Sequence, residues 1–421
     1  MKILIVGLGY VGASTAVLLS EKNQVEAMDP DTEKTQAVNQ GHAPLIDVEM
    51  EAIFQAKGLS IESCNNMQSV SKDADYVVIA VPTDWCPETE SIDTRHIETV
   101  ARMLDQSQST AAIVIRSTVP VGFTKKLSEQ YPNRTFIYCP EFLREGTAMR
   151  DVLYPQRIVI GCSQSCEDSM HHAKTFAQLL NDGIRSLRPF DYSEVPILFM
   201  ETDEAEAVKL FSNTYLATRV AFFNELDSFA EKSGMDAGKI ILGICTDNRI
   251  GDQYNNPGFG YGGYCLPKDS RQLLKDTESP ANSLLHAVVE SNEQRKKLMA
   301  ERLLKAAQDT KESLAQGALP IIGIYRLTAK AGSDDIRSAS ILDIIVHLVM
   351  EDVTIVIYEP TVHDKAILEK WVSPSIMEKL KLENDLNTFK SKCHIIAANR
   401  WDDVLEDVKD KVYTRDIFGR N

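Results

Sequence analysis

The residue of this chain best suited to covalent chemistry is Cys265, and what precedes it determines how it could act. The stretch Arg249–Asp269 reads R-I-G-D-Q-Y-N-N-P-G-F-G-Y-G-G-Y-C-L-P-K-D. Pro257, Gly258, Gly260, Gly262 and Gly263 make it neither an ordinary helix nor an ordinary strand, because glycine loses too much conformational freedom in either. Such a segment can bring backbone amides close to a ligand. Pro267 suits the first position of a new helix, which places the thiol at a helix start, where the dipole favours the nucleophilic thiolate. The same residues also describe a glycine-rich turn beside a buried, inert cysteine. The stretch by itself does not choose.

A second cluster lies on the segment Thr202–Lys232, whose pattern predicts one long helix ended by Ser233-Gly234. Asp203, Glu204 and Glu206 complement its N-terminus, and Gly234 suits its C-terminal cap. Lys209 and Asn213 are four apart and share a face. A lysine and an amide on a well-buried helix need partners, unless they belong to an exposed polar stripe. Apolar residues occupy more than one face, which suits burial between domains or in a dimer interface. A third cluster, Glu141-Phe142-Leu143-Arg144-Glu145-Gly146, follows an apolar β run.

The elements that must position these residues alternate between strands and helices. Lys2–Val6 is a β run closed by Gly7-x-Gly9-x-x-Gly12, with a helix over Ala13–Ser20 and a strand over Gln24–Met28 ending in Asp29. That is a βαβ unit with glycines for a tight turn and close approach to a pyrophosphate. A carboxylate at Asp29 accepts a ribose hydroxyl and repels a 2′-phosphate, so NAD is favoured over NADP. Further β runs at Tyr76–Val81, Ala112–Arg116, Thr135–Cys139 and Arg157–Gly161 imply a doubly wound parallel sheet with ligands at the strand carboxyl ends. Thr83, Ser117-Thr118 and Glu141–Gly146 stand at three successive ends.

Beyond the long helix, helices are expected over Asp236–Cys245 and Asn282–Ala307. After a polar stretch at Gln308–Gly317, βα alternation resumes with Pro320–Tyr325, a helix over Ala339–Met350, Val353–Tyr358, a helix near Ala366–Trp371, His394–Ala398 and Lys411–Tyr413. After its first strand this half offers Tyr325-Arg326, Lys330 and Ser333-Asp334-Asp335-Ile336-Arg337, which suit phosphate or carboxylate recognition or a charged surface loop. The expectation is an α/β protein of two Rossmann-like doubly wound domains joined by a long central helix. Its parts are residues 1–200, a central helical region 201–308 carrying the glycine loop and Cys265, and residues 309–421.

Composition narrows the function classes. A chain of 421 residues is too long for one ordinary domain. A formal charge of −16 argues against nucleic acid as a partner, which needs a basic footprint. Eight cysteines scattered without a disulfide-like framework fit a reducing cytoplasm. No apolar run is long enough to span a bilayer, and the spaced glycines of the N-terminus argue against a signal peptide. Cys162-x-x-x-Cys166 followed by His171-His172 does not match paired zinc-ligand spacing, so no metal is expected.

The assembled motifs resemble the UDP-glucose/GDP-mannose dehydrogenase family over essentially the whole length. The carriers are G-L-G-Y-V-G at 7–12, S-T-V-P-V-G at 117–122, P-E-F-L-R-E-G at 140–146, E-A-V-K-L-F-S-N-T-Y-L-A at 206–217 and Y-N-N-P-G-F-G-Y-G-G-Y-C-L-P-K-D at 254–269. P-E-F-L-R-E-G resembles the branch acting on UDP-glucose, and Tyr264 and Leu266 beside the cysteine resemble its shorter bacterial form. The resemblance implies oxidation of the sugar C6 alcohol to a carboxylate with two NAD, through a thiohemiacetal and a thioester on Cys265. It implies that Lys209 and Asn213 stabilise a developing oxyanion, that Thr118 and Asp269 hold a water that takes the alcohol proton, and that Glu145 activates the hydrolytic water. Cofactor contacts would come from Gly7, Gly9, Tyr10, Val11, Gly12, Asp29, Lys34, Thr83, Thr118, Glu145, Tyr264, Lys268 and Arg337. The UDP-sugar would meet Glu141, Phe142, Leu143, Arg144, Glu145, Lys209, Asn213, Arg249, Tyr325 and Arg326, with Tyr254, Asn255, Asn256, Pro257, Gly258 and Gly262 wrapping it through backbone amides. The family architecture implies a homodimer built on the long helix.

Three other readings compete. A sister enzyme would run the same chemistry on a UDP-N-acetylhexosamine or GDP-mannose, and only segments 140–146 and 254–262 argue against it. A non-catalytic NAD sensor would be expected to lose the thiol or the lysine. A single-step hydroxyacid-type dehydrogenase needs no thiol at this position.

Overall fold

A computed structural model describes the chain apart from residues 58, 60, 65–70, 108, 278–281, 312–317, 328–335, 337–338, 363–367, 369–372 and 420–421. Lys330, Ser333, Asp334, Asp335 and Arg337 therefore lie outside the described residues, as does the expected 366–371 helix except for Leu368. The chain divides into two compact units, Met1–Ser212 and Asn213–Asn421.

In the first unit the strands are β1 (Lys2–Val6), β2 (Gln24–Met28), β3 (Glu62–Ser63), β4 (Tyr76–Ile79), the hairpin strands β5 (Trp85–Cys86) and β6 (Ser91–Ile92), β7 (Ala112–Ile115), β8 (Phe136–Tyr138), β9 (Ile158–Gly161) and β10 (Ile197–Met200). Eight of them form one sheet in the order β10-β9-β8-β7-β4-β1-β2-β3. Register aligns Ile3 with Tyr76 and Tyr76 with Ala112. Because side chains alternate along a strand, Ile3, Ile5, Val78 and Val114 enter one core, whereas Leu4, Val77, Ile79 and Ile113 enter the core on the opposite face. Continuous apolar strands are what a sheet covered on both faces requires.

Two expectations need correction here. The sheet is not wholly parallel: β8 and β9 meet antiparallel, with Tyr138 opposite Gly161. Their connection is taken up by the 141–146 loop and a helix of 6 residues, Ala148–Leu153. The first helix starts at Tyr10, not Ala13. Gly12 lies so tightly over the turn that an added Cβ would meet the Gly7 carbonyl oxygen at 1.8 Å.

The long helix has the predicted bounds, Thr202–Lys232, and is followed by Gly234 at φ +66°. In the second unit, helices Ala237–Cys245, Cys265–Asp276 and Ser283–Lys311 precede a parallel sheet. Its strands are β11 (Ile321–Tyr325), β12 (Thr354–Tyr358), β13 (Leu380–Leu382), β14 (Ile395–Ala398) and β15 (Val412–Tyr413), ordered β13-β12-β11-β14-β15. Ile322, Ile324, Ile355 and Ile357 pack against Ile344, Ile345 and Leu348 of the helix Ser340–Leu348. Among the described residues no helix is long and apolar enough to cross a membrane.

Two glycines separate packing from propensity. A Cβ at Gly183, in the helix Glu167–Leu187, would come 2.3 Å from the Leu18 carbonyl oxygen, whereas one at Gly243 would meet nothing within 4 Å. Gly183→Ala should therefore destabilise the protein by about 1–3 kcal/mol. Gly243→Ala, in an open helical position, should stabilise it by about 0.5–1 kcal/mol. Urea midpoints of the two variants decide this, and equal shifts would contradict it.

Candidate active site

In the first unit the carboxyl ends of β1 and β4 flank the point where strand order reverses, the place where doubly wound sheets bind ligands. Gly7, at φ +98°, turns the chain out of β1, and Gly9 caps the following helix. A Cβ on Gly9 would meet nothing within 4 Å, so this turn faces open space. A helix N-terminus with an unobstructed glycine is a ready cradle for phosphate. Asp29 accepts hydrogen bonds from the amides of Leu8 (2.7 Å) and Asp31 (2.9 Å), which fix its carboxylate beside that turn. Tyr10 and Val11 open the helix and are half-buried, as is Lys34 on the helix Thr32–Asn39. Thr83 and Thr118 are buried after β4 and β7, and Ser117 Oγ donates to the Val81 carbonyl at 2.7 Å, tying the two strand ends together.

The partner that the buried Lys209 requires is Glu141. Lys209 Nζ donates to both the Glu141 carbonyl and its Oε1, each at 2.7 Å. The Leu143 amide donates to Oε2 at 2.8 Å. Burial pushes the Glu141 carboxyl up; Lys209, the Leu143 amide and Arg116 outweigh it and hold the group below its ordinary range. Phe142 lies under Arg157 at 4.1 Å and 5.6 Å from Lys209 Nζ. Arg144 is exposed and bound to Asp151, while Glu145 is half-buried before Gly146 at φ +81°. Sequence reasoning missed Arg116, a buried guanidinium donating to Cys139 Sγ at 3.2 Å, because it looks like the end of a strand.

Glu206 also needs correction. It does not serve its own helix N-terminus but accepts the amides of Gly122 (2.5 Å) and Thr124 (2.8 Å), capping the helix Phe123–Gln130 that follows the Thr118 loop. Gly122, the residue at that cap, has no side chain to do so.

In the second unit Cys265 is itself the first residue of the helix Cys265–Asp276, and Pro267 comes third instead of first. The third position still has no intrahelical amide bond to lose. Lys268, in the same turn, binds Asp269 Oδ1 at 2.9 Å and lies 4.8 Å from the centre of the Tyr264 ring. Asn213 Nδ2 donates to Asp269 Oδ2 at 2.5 Å. Burial pulls the Lys268 ammonium down, but Asp269, Tyr264 and Cys265 outweigh it and keep it above the ordinary lysine range. Cys265 is half-buried and shares a helix turn with that cation.

The glycine-rich loop departs from expectation. Its amides at Gly258, Phe259 and Tyr261 donate to the side-chain oxygens of Asn224 (3.0 Å), Asn399 (2.9 Å) and Asn292 (2.8 Å), so those three amides are not turned to a ligand. Carbonyls are held as well: Arg400 binds Pro257 O, Arg295 binds Gly258 O, and Arg219 binds the carbonyls of Ile250, Gly251 and Gln253. Asn255 and Asn256 are buried, and Tyr254 sits at φ +55°. Gly262 lies next to Gly263, which turns at φ +83°. Arg249 is exposed and paired with Asp247. Tyr325 is absorbed by the core, its ring stacked on Tyr358 and its hydroxyl bound to Asp402, so it does not present itself to a ligand. Arg326 differs: it follows β11 at φ +62°, and its buried Nε has no partner among the described residues.

The sequence matches three domains of one family in order: the NAD binding domain over residues 1–179, the central domain over 203–294 and the UDP binding domain over 323–418. The chain belongs to the UDP-glucose/GDP-mannose dehydrogenase family. It is 42% identical over 422 residues to a UDP-glucose 6-dehydrogenase of Campylobacter jejuni, with 99% of each chain covered. It is 40% identical over 420 residues to one of Streptococcus pneumoniae, covering 100% of both. Its fold is shared by a solved UDP-glucose dehydrogenase of Pyrobaculum islandicum at a TM-score of 0.77 and 24% identity, covering 94% of this chain and 89% of that one. This family member is an NAD-dependent oxidoreductase. The open turn at Gly9, the helix N-terminus and the fixed carboxylate of Asp29 fit a pyrophosphate and a ribose.

Glu206 gives the site a measurable pH dependence. Burial lifts its carboxyl from 4.5 to about 7 against the pull of the Thr124 and Gly122 amides. The folded state thus holds a proton that the unfolded state releases, so this contribution is complete below pH 4.5 and is lost as pH rises to about 7. Wild-type stability relative to Glu206→Gln should fall by up to ~3 kcal/mol across that window. Parallel stability curves for the two proteins would contradict it.

Proposed function

We propose that this enzyme oxidises UDP-glucose to UDP-glucuronate, using two NAD and one water, with Cys265 carrying the intermediate. The observation that carries the covalent part is a half-buried cysteine at the first position of a helix, in the same turn as the buried Lys268–Asp269 pair. The relatives at 42% and 40% identity, both UDP-glucose 6-dehydrogenases, support UDP-glucose over an N-acetylated or GDP-linked sugar.

Bound NAD supplies the hydride acceptor. The C6 alcohol gives up a hydride and a proton to become an aldehyde, with Asp269 and Thr118 holding the water that takes the proton. The S–H of Cys265 adds across the C=O, forming a thiohemiacetal. Loss of a second hydride and proton leaves a thioester, and water activated by Glu145 attacks its carbonyl carbon. The C–S bond breaks, regenerating the thiol and freeing the carboxylate. Lys209 and Asn213 stabilise the oxyanion formed in these steps; Glu141 is the counter-charge that aims Lys209. Keeping the aldehyde as a thioether-linked adduct lets one site complete two oxidations. Arg326 supplies a cation for the diphosphate.

We infer a homodimer. Phe211, Tyr215, Phe222 and Phe229 of the long helix are each more than half exposed in the single chain and follow spacings of 4, 7 and 7 residues, one stripe of an interface helix. Eight free cysteines support a reducing compartment such as the cytoplasm. Light scattering should give about twice 47.0 kDa, and Phe222→Glu with Phe229→Glu should lower the mass toward that of one chain. A monomer mass in the unaltered protein would refute the dimer.

The decisive assay counts NADH per UDP-glucose consumed; two, with UDP-glucuronate as product, is the expected result. Cys265→Ala should lower the steady-state rate by on the order of 10³-fold or more. One NADH per sugar, or full turnover by the alanine variant, would eliminate the thioester route.

A further inference from the structure

The last described residues bind the segment Asn256–Gly258 at both of its ends. Asn256 is buried, and its Nδ2 donates to Asp416 Oδ1 at 2.7 Å while its Oδ1 accepts the amides of Ile417 (3.1 Å) and Phe418 (3.3 Å). Asp416 is pinned in turn, because its carboxylate also accepts the amides of Trp401 (2.9 Å) and Gly419 (2.8 Å). The neighbouring Arg415 binds the fully buried Asp227, its Nε at 2.9 Å from Oδ2. Asp227 also binds Arg295 at 2.6 Å, and Arg295 Nε holds the Gly258 carbonyl at 3.0 Å. One link thus runs through Asn256 itself, the other through Asp227 and Arg295 to Gly258.

We propose that Arg415 and Asp416 are positioning residues for the sugar nucleotide, with the segment Thr414–Gly419 setting the geometry of Asn256–Gly258. The proposal rests on the assignment of Tyr254–Gly258 to the UDP-sugar. A glycine-rich loop has many conformations to lose on binding, and one held by fixed side chains has already lost them, so releasing it weakens binding more than chemistry.

Asp416→Asn breaks one end without changing size. An asparagine has a single side-chain oxygen, so its NH2 must face either the Asn256 Nδ2 or the Trp401 amide, donor against donor. The exchange Asn256→Asp with Asp416→Asn restores the contacts to position 256 and to Trp401, because the new amide donates to the new carboxylate and still accepts from Trp401, and leaves only the Gly419 amide facing a donor.

Two measurements test this on the full chain. Hydrogen exchange at Gly258, Phe259 and Tyr261 should quicken in D416N and slow again in the doubly exchanged protein, with β1 unchanged in both. KM for UDP-glucose should rise about tenfold in D416N, equivalent to roughly 1.4 kcal/mol, while KM for NAD stays put and kcat changes far less. Part of that rise should disappear in the double variant. Unchanged exchange, a steady KM for UDP-glucose, or an equal rise for NAD overturns the proposal. Should D416N not fold, Arg415→Met takes its place with the same expectations. Absence of UDP-glucose turnover in the unaltered enzyme refutes the proposed substrate instead, and the Kd for UDP by calorimetry then replaces KM under the same criteria.

Discussion

A buried lysine is tolerated only with a counter-charge beside it, since an unpaired ion in the interior costs several kcal/mol. That constraint organises much of the chemistry of this protein. Lys209 and Lys268 are both almost fully buried, and each has its own carboxylate, Glu141 and Asp269. The pairs are not interchangeable. Glu141 takes two bonds from Lys209, one of them at its backbone carbonyl, so the pair fixes the loop after β8 as well as a charge. Asp269 divides its oxygens between Lys268 and Asn213, so one carboxylate fixes both the turn after Cys265 and an amide of the long helix.

Asp227, with Arg295 and Arg415, is a third case, and it carries no chemistry. Its function is to let two guanidinium groups enter the interior, one of which then holds a carbonyl of the glycine loop. The loop shows why such anchors are necessary. A segment with no ladder or helix of its own leaves every amide and carbonyl to be satisfied otherwise. Here asparagine and arginine side chains satisfy many of them, at Asn224, Asn292, Asn399, Arg219, Arg295 and Arg400.

This also explains what was legible in the sequence. The βαβ start, the long helix and most strand positions follow from short-range pattern: apolar runs, a glycine fingerprint, capping residues. The need for a partner at Lys209 was legible too, from a lysine on an apolar helix. The identity of that partner was not, because Glu141 is 68 positions away and nothing local marks the pair. The same holds for Glu206, whose sequence position suggested its own helix dipole while its acceptor role is at Gly122, 84 positions away. The glycine loop misled differently. Glycine content gave the absence of regular structure correctly but said nothing of where the amides point, and three of them point to asparagines instead of outward. Tyr325 misled because an aromatic at a strand end looks the same whether it faces a ligand or the core.

The chemistry proposed for Cys265 draws on that charge arrangement. Lys268 is bound to Asp269, lies over the Tyr264 ring and feels the charge of Cys265. Three anionic or electron-rich groups thus share one cation that burial alone would discourage. On the proposed route a thiolate at Cys265 would share its helix turn with a cation that Asp269 already holds in place. On that route the cation would stay in place while sulfur changed from thiolate to neutral adduct and back, because Asp269 pairs it independently of the sulfur. A covalent route through two oxidations requires a nucleophile that can leave as well as attack. A lysine in the same turn with its own carboxylate would suit that requirement, where a lysine paired with the thiolate alone would be stranded each time the sulfur became neutral.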